Sequence, residues 1–261
     1  MKTILVTGGL GFIGSHTCVE LLLNKYRVII LDSLINSSAI TINKIKDIVS
    51  IVNPKYPQNL KFSNIDIRDK DKLRNIFKSE EKNGNHIDAV IHFAGLKSVY
   101  ESINNPLKYW DVNVGGAISL LKVIRETSCK VVIFSSSATI YSIKSKSPLN
   151  ESQEIGPINP YGETKLAVEK ILDNLYFTNE KKYSIACLRY FNPIGAHPSG
   201  LIGEEPKGRP NNIFPLINKV AIGELKELQI FGNDWDSEDG TAIRDFIHVM
   251  DVAESHIKVL D

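Results

Sequence analysis

Thr7-Gly8-Gly9-Leu10-Gly11-Phe12-Ile13-Gly14-Ser15 is the stretch that decides the fold. An apolar run at residues 3–6 precedes it and an amphipathic stretch at 13–24 follows, so strand, tight turn and helix are expected in that order. Both Gly-x-Gly-x-x-Gly (Gly9, Gly11, Gly14) and Gly-x-x-Gly-x-x-Gly (Gly8, Gly11, Gly14) can be read in it. Glycines let the chain turn sharply and let the backbone approach a pyrophosphate, whose charge meets the unpaired N–H groups of the helix start. By itself the motif also describes an ordinary glycine-rich turn. The strand before it and the helix after it supply the context of a dinucleotide site. Asp32 closes a second apolar run, eighteen residues past Gly14. A carboxylate there accepts from the ribose hydroxyls of NAD and repels the extra phosphate of NADP. No arginine adjoins it, which favours NAD; the alternative is that Asp32 caps the following turn.

Outward from this unit, short apolar runs alternate with longer amphipathic ones. Strands are expected at 3–6, 27–31, 60–65, 89–93, 131–135 and 184–189, and helices at 13–24, 39–52, 70–81, 107–127 and 161–177. The strands are apolar on both faces, as strands between helical layers must be. The fold class is therefore α/β, a doubly wound parallel sheet of the NAD-binding Rossmann kind. After Phe191-Asn192-Pro193 the texture changes, with Pro193, Pro198, Pro206 and Pro210 among several glycines, which reads as irregular structure. A helix at 212–222, a short strand at 228–231, a buried strand at 244–248 and a helix at 251–260 follow. This divides the chain into a Rossmann domain (1–192), a small, incomplete substrate lobe (193–238) and a return to the first domain (239–261).

Tyr161-Gly162-Glu163-Thr164-Lys165 pairs a phenol with an ammonium at i and i+4, on one helix face. A tyrosine ordinarily ionises near about 10. A positive neighbour lowers an acid's pKa, and a cationic nicotinamide would add to that, which makes a usable base near neutral pH. The same spacing occurs on solvated helix faces, so the pair gains meaning from the glycine motif and Asp32.

Bulk properties exclude several classes. The 261 residues carry 31 Lys+Arg against 30 Asp+Glu, a balance without the electrostatic footprint of a nucleic-acid or membrane-surface binder. Cys18, Cys129 and Cys187 are odd in number and unpatterned, reading as small buried apolar residues in a reducing compartment. Neither His-Glu-x-x-His nor Cys-x-x-Cys occurs, so no metal is expected. The amino terminus lacks a signal-peptide apolar core and no run approaches a membrane span, which places the chain in the cytoplasm.

With these motifs in place, the chain resembles the UDP-glucose 4-epimerases, extended members of the short-chain dehydrogenase/reductase superfamily. The glycine motif and the Tyr161/Lys165 pair belong to the superfamily at large. His92-Phe-Ala-Gly-Leu-Lys97, Ser135-Ser-Ser-Ala-Thr139, the run from Arg189 to Gly200 and the run from Asp239 to Val249 are narrower. The resemblance, which spans residues 3–261, implies NAD contacts at Phe12, Ile13, Asp32, Asn36, Ser37, Asp66, Ile67, Phe93, Ala94, Lys97, Asn113, Lys165 and Phe191. Asp66 and Ile67 would meet the adenine. It implies UDP-hexose contacts at Lys97, Ser137, Tyr161, Asn192, Asn212, Gln229, Phe231 and Arg244. An arginine fork suits a phosphate, although Arg244 read alone is equally a simple ion pair.

The implied reaction, part of galactose metabolism, inverts C4 of the hexose through a transient 4-keto sugar. Tyr161 takes the proton of the 4-hydroxyl, Ser137 shares hydrogen bonds to that oxygen, and Lys165 lowers the Tyr161 pKa. The resemblance also implies a homodimer through the helices starting near Leu107 and Tyr161. Three departures bear on this. Ser33 stands where many members have asparagine, and Ser142 where they usually have glycine. Members also usually continue several dozen residues beyond Asp261 with part of the sugar lobe, so a chain of this length is expected to bind UDP-sugar poorly. Two alternatives are a nucleotide-sugar dehydratase or decarboxylase and a silent NAD-binding fragment. Ala138 and Thr139, where dehydratases carry an acid, count against the first; the retained Ser137, Tyr161 and Lys165 count against the second.

Overall fold

The first strand shows why the chain folds around it: β1 (Thr3–Thr7) is buried at every residue. A strand with no wet face needs a neighbour on each edge and a helical layer on each side. The structure, a computed structural model, describes residues 1–177, 183–207, 210 and 212–260 and supplies both. β2 (Arg27–Asp32), β3 (Leu60–Asn64), β4 (Ala89–His92), β5 (Val131–Ser137) and β6 (Ser184–Tyr190) join β1 in an all-parallel sheet of order β3-β2-β1-β4-β5-β6. That is the doubly wound Rossmann order, whose strand sequence reverses between β1 and β4.

Alternate side chains of the strands fill two cores. Ile4, Val6, Ile30 and Ile91 pack under α1 (Phe12–Leu23) and α2 (Ile40–Val52). Leu5, Leu31, Val90 and Phe134 pack on the other face with α3 (Lys70–Lys82), reached through Leu73 and Phe77. The expectation that all six strands are buried on both faces fails at the sheet edges. β3 and β6 are partly exposed, because each has a neighbour on one side only.

The helix expected at 107–127 is broken up. A short α4 (Val99–Asn104) precedes it, α5 (Pro106–Tyr109) begins it, a π-turn spans Trp110–Gly115, and α6 (Gly116–Arg125) completes it. π-turns of this kind often mark functional sites. α7 (Pro160–Tyr176) starts on Pro160, with the Asn159 side chain accepting the Gly162 N–H.

Beyond β6, β7 (Asn192–Ile194) pairs in parallel with β8 (Phe246–His248) in a separate two-stranded sheet. β8 is exposed at each residue, correcting the expected buried strand at 244–248: among the described residues β7 is the one strand beside it, which leaves its other edge open. The strand expected at 228–231 is irregular, exposed backbone with no described strand beside it. α8 (Ile213–Ala221) lies between these segments, and α9 (Val249–Leu260) returns to the main sheet, burying Val252 and Ile257 against the α1 side. Asp261 lies outside the described residues.

Candidate active site

The glycine turn is shaped by close approaches. Gly8 has φ +69°, and a Cβ there would stand 2.6 Å from the backbone nitrogen of Ala94, so the loop lies flat on the end of β4. A Cβ on Gly14 would come within 2.3 Å of the Gly8 carbonyl oxygen. Gly11 caps α1 in extended backbone without a side-chain cap, and the first turn holds no acid. Phe12 and Ile13 begin this helix, whose first N–H groups therefore face no internal negative charge. At the end of β2, Asp32 is buried and its carboxylate accepts from Leu10 N–H (3.0 Å), Leu34 N–H (2.9 Å) and the Ser37 hydroxyl (2.7 Å). It is thus more than a turn cap: it ties the glycine loop to the loop that carries exposed Asn36. A glycine-lined helix start beside an anchored carboxylate fits a dinucleotide.

Asp66 and Ile67 sit across the cleft at the end of β3. Ile67 is buried, and a Cβ on Gly116 would press on its side chain at 2.9 Å. Asp66 is gripped by Arg68, whose hydrogen bonds hold its carboxyl below the usual range. Arg68 also reaches Asp111 at 2.5 Å. Asn113, buried in the π-turn, accepts from Leu96 N–H (2.7 Å) and donates to Leu96 carbonyl (3.1 Å) and Thr164 Oγ1 (3.0 Å). Its amide is committed to clamping the loop after β4 onto α7.

Tyr161 and Ser137 come together at the end of β5. Thr139 donates its hydroxyl to Ser137 Oγ at 3.0 Å and its N–H at 3.3 Å, and Ser137 stands close enough to the Tyr161 phenol to favour its ionised form. Lys165 is buried, with Nζ 2.8 Å from the Ser135 carbonyl and 5.8 Å from the Tyr161 ring centre. The same Nζ lies 3.9 Å from where a Gly95 Cβ would stand, which joins the catalytic helix to the loop after β4. α7 is held down one turn further on by Glu169, which accepts from Arg189 (2.7 Å) and from Ser136.

The expectation that Lys165 lowers the Tyr161 pKa is corrected. Burial pushes the phenol up to about 12, against a smaller lowering by Ser137. Burial likewise pulls Lys165 down to about 8. Desolvation penalises both charged forms, and the ammonium is turned toward a carbonyl instead of the phenolic oxygen. His92 is drawn to about 3 by burial and then by Lys165; its Nδ1 shares a hydrogen bond of 2.7 Å with the Thr7 hydroxyl.

The expected substrate residues divide. Lys97 and Asn212 meet on one oxygen of Glu204, at 2.8 and 2.6 Å. That glutamate, with a side chain 8% exposed, is a residue sequence reading missed. Its only signal was an acid in a proline-rich loop. Asn192 opens β7 and its N–H donates to the Asp245 carbonyl, beside half-exposed Phe191. Phe93 is half-buried at the end of β4. Gln229, Phe231 and Arg244 are not gathered with Ser137 and Tyr161. Phe231 is 79% exposed, and Arg244 donates to the Ile243 carbonyl on an exposed segment.

A doubly wound sheet with an anchored acid after β2 and a Ser-Tyr-Lys set after β5 defines a dinucleotide-dependent enzyme of the short-chain dehydrogenase/reductase type. The chain belongs to the NAD dependent epimerase/dehydratase family, which it matches over residues 4–261. It is 48% identical to the UDP-glucose 4-epimerase of Bacillus subtilis (strain 168), over 99% of this chain and 72% of that protein. Its structure is similar to that of the Bifidobacterium longum UDP-glucose 4-epimerase in complex with NAD+ and UDP (TM-score 0.91, 45% identity, 100% of this chain and 74% of the other). It is also similar to the UDP-Glc/GlcNAc 4-epimerase of Campylobacter jejuni (TM-score 0.77, 34% identity, 98% and 73%).

Proposed function

We propose that this protein interconverts UDP-glucose and UDP-galactose by inversion at C4, through a transient 4-keto sugar. The observation that carries the reading is the grouping of Thr139, Ser137 and Tyr161 at the carboxyl end of β5, with Lys165, on the helix of Tyr161, beside Gly95 in the loop after β4. NAD, when bound, supplies the hydride acceptor and a positive charge beside the phenol. Tyr161 takes the proton of the 4-hydroxyl, and Ser137, already supplied with donors by Thr139, holds that oxygen and passes the proton. Lys165 orients the ribose from its seat on the Ser135 carbonyl. Because burial holds Tyr161 near 12, the cofactor's charge is required before this phenol works at neutral pH.

The glycine turn, Asp32, Asn36 and Ser37 would hold one nucleotide end, and Asp66 with Ile67 the other. Phe93, Ala94, Asn113 and Phe191 would line the path between. On this reading residues 1–192 and 239–261 form the cofactor domain and 193–238 the sugar lobe. Lys97, Asn192 and Asn212 would meet the UDP group, with Gln229, Phe231 and the planar fork of Arg244. Nucleotide anchoring with a loosely held sugar is the particular need of this chemistry, since the ring must present both faces. Given UDP-galactose and no added cofactor, the protein from the complete reading frame should release UDP-glucose. Absence of that product would refute the assignment.

A homodimer in the cytoplasm completes the proposal. Tyr100 (73%), Ile103 (60%) and Leu107 (82%) are exposed on α4 and α5, and Ile118, Leu121, Ile171 and Leu175 line a groove of about 240 Å³ between α6 and α7. Two such helix pairs would cover each other. Among the described residues no helix is long and apolar enough to cross a membrane. Light scattering should give twice the monomer mass; a monomer at micromolar concentration would exclude the pairing.

A further inference from the structure

α9 carries a side chain that reaches back into the site. His256 is fully buried, and its Nδ1 lies 2.7 Å from the carbonyl of Val252, a group that can only accept. Nδ1 therefore bears the hydrogen and Nε2 is left as an acceptor. Burial draws the imidazole down to about 4, so it is neutral at pH 7. The atom 2.6 Å from Nε2 is the hydroxyl of Tyr190, the last residue of β6, which has to donate. The Tyr190 oxygen then has lone pairs alone to offer, at the end of β6 where Tyr190 pairs in register with Ser137 and close to the Ser135 side chain. The Ser135 carbonyl, in turn, is the seat of Lys165 Nζ. The hydrogens of this string thus face one way, from Tyr190 through His256 to the Val252 carbonyl. Phe93 packs on the imidazole with ring centres 4.8 Å apart, and Tyr190 is near enough to Tyr161 for the charge of that phenolate to oppose its own ionisation.

We propose that His256 is a positioning residue for the epimerisation: by accepting the Tyr190 hydrogen it makes the Tyr190 oxygen an obligate acceptor and fixes the Tyr190–Ser135 wall beside Tyr161 and Lys165. Without that acceptor, the Tyr190 hydroxyl dipole turns freely next to the catalytic phenol, and the support under Lys165 loosens. The proposal rests on the C4-inversion reading and deepens it by giving the last helix a part in the reaction.

The test is a double-mutant cycle in the protein from the complete reading frame, with turnover of UDP-galactose, bound NAD and thermal midpoint measured for each variant. His256→Leu should lower kcat about tenfold, the effect of one buried hydrogen bond lost in the transition state, with KM within about twofold. His256→Gln, which keeps an acceptor, should restore most of the loss. His256→Leu combined with Tyr190→Phe should be no slower than Tyr190→Phe alone, because both remove the same interaction. Should His256→Leu fail to fold, Tyr190→Phe carries the comparison, since it removes the same hydrogen bond: kcat should fall about tenfold with KM and bound NAD little changed, and an unchanged kcat would overturn the proposal. Additive losses, or a loss in His256→Gln that follows the thermal midpoint, would reduce His256 to a packing residue and overturn the proposal. An inactive wild type would instead refute the epimerase reading on which it stands.

Discussion

The carboxyl ends of β1, β4 and β5 and the segment from residue 222 to 247 meet opposite physical conditions. At the first, Thr7, Asp32, Asn113, Ser136 and Lys165 are buried and each has a named partner. At the second, nearly every side chain faces water and the backbone is irregular up to the start of β8. A buried polar group without a partner is costly, so burial forces one geometry on the first region, the proposed cofactor end. Exposure forces none on the second, the proposed sugar lobe. The contrast suits a reaction that needs a rigid hydride path and a mobile ring.

Breaking the rigid side should have the largest consequences. Tyr161→Phe is expected to lower kcat by about a thousandfold, within the usual range for a general acid–base group, while NAD stays bound. Steady-state turnover with measurement of the protein's bound nucleotide checks both halves. Next, Gly14→Ala places a methyl 2.3 Å from the Gly8 carbonyl oxygen. Backbone has to move, with a cost of about 1–3 kcal/mol in denaturant unfolding and much weaker NAD binding; an unaltered midpoint and affinity would show the turn to be slack.

Glu204→Ala tests the seam between the two regions. Lys97 and Asn212 would lose their shared acceptor, so KM for the UDP-sugar should shift several-fold while NAD affinity holds, as kinetics on both ligands would reveal. A pH effect is smaller. Lys165 titrates near 8 in the folded chain, below its ordinary value, so the unfolded chain binds more protons between the two. Its burial cost is full below that window and disappears as pH rises through it, so wild type should gain stability relative to Lys165→Met from pH 8 to 10. Urea unfolding at several pH values reads this, and a falling difference would contradict it. Smallest of all, Gln229→Ala should change stability by less than about 0.5 kcal/mol, as exposed substitutions usually do. A larger loss would mean that the exposed region is structurally fixed after all.

What was legible in the sequence follows the same division. The glycine turn, Asp32 and the Tyr161/Lys165 pair announce themselves because sterics and chemistry restrict which residues serve there. Strand positions followed from alternating apolar runs. The helix expected at 107–127 concealed its π-turn, since the Asn113 clamp depends on partners at Leu96 and Thr164 that periodicity cannot show. Residues 228–231 look like a strand by composition, but a strand needs a neighbour for its hydrogen bonds and none of the described strands lies there. The direction of the Tyr161 pKa was misread for a related reason. Spacing gave the ammonium's proximity, and only the folded site shows that Lys165 Nζ is bound to the Ser135 carbonyl and that desolvation raises the phenol.

Ultraviolet difference titration of Tyr161, with Tyr161→Phe subtracted, would test the central chemistry most directly, on protein with NAD bound and after its removal. The account predicts a phenol that ionises near about 7 with the cofactor and far higher without it. A phenol that stays protonated past pH 10 in both states would contradict its role as the base.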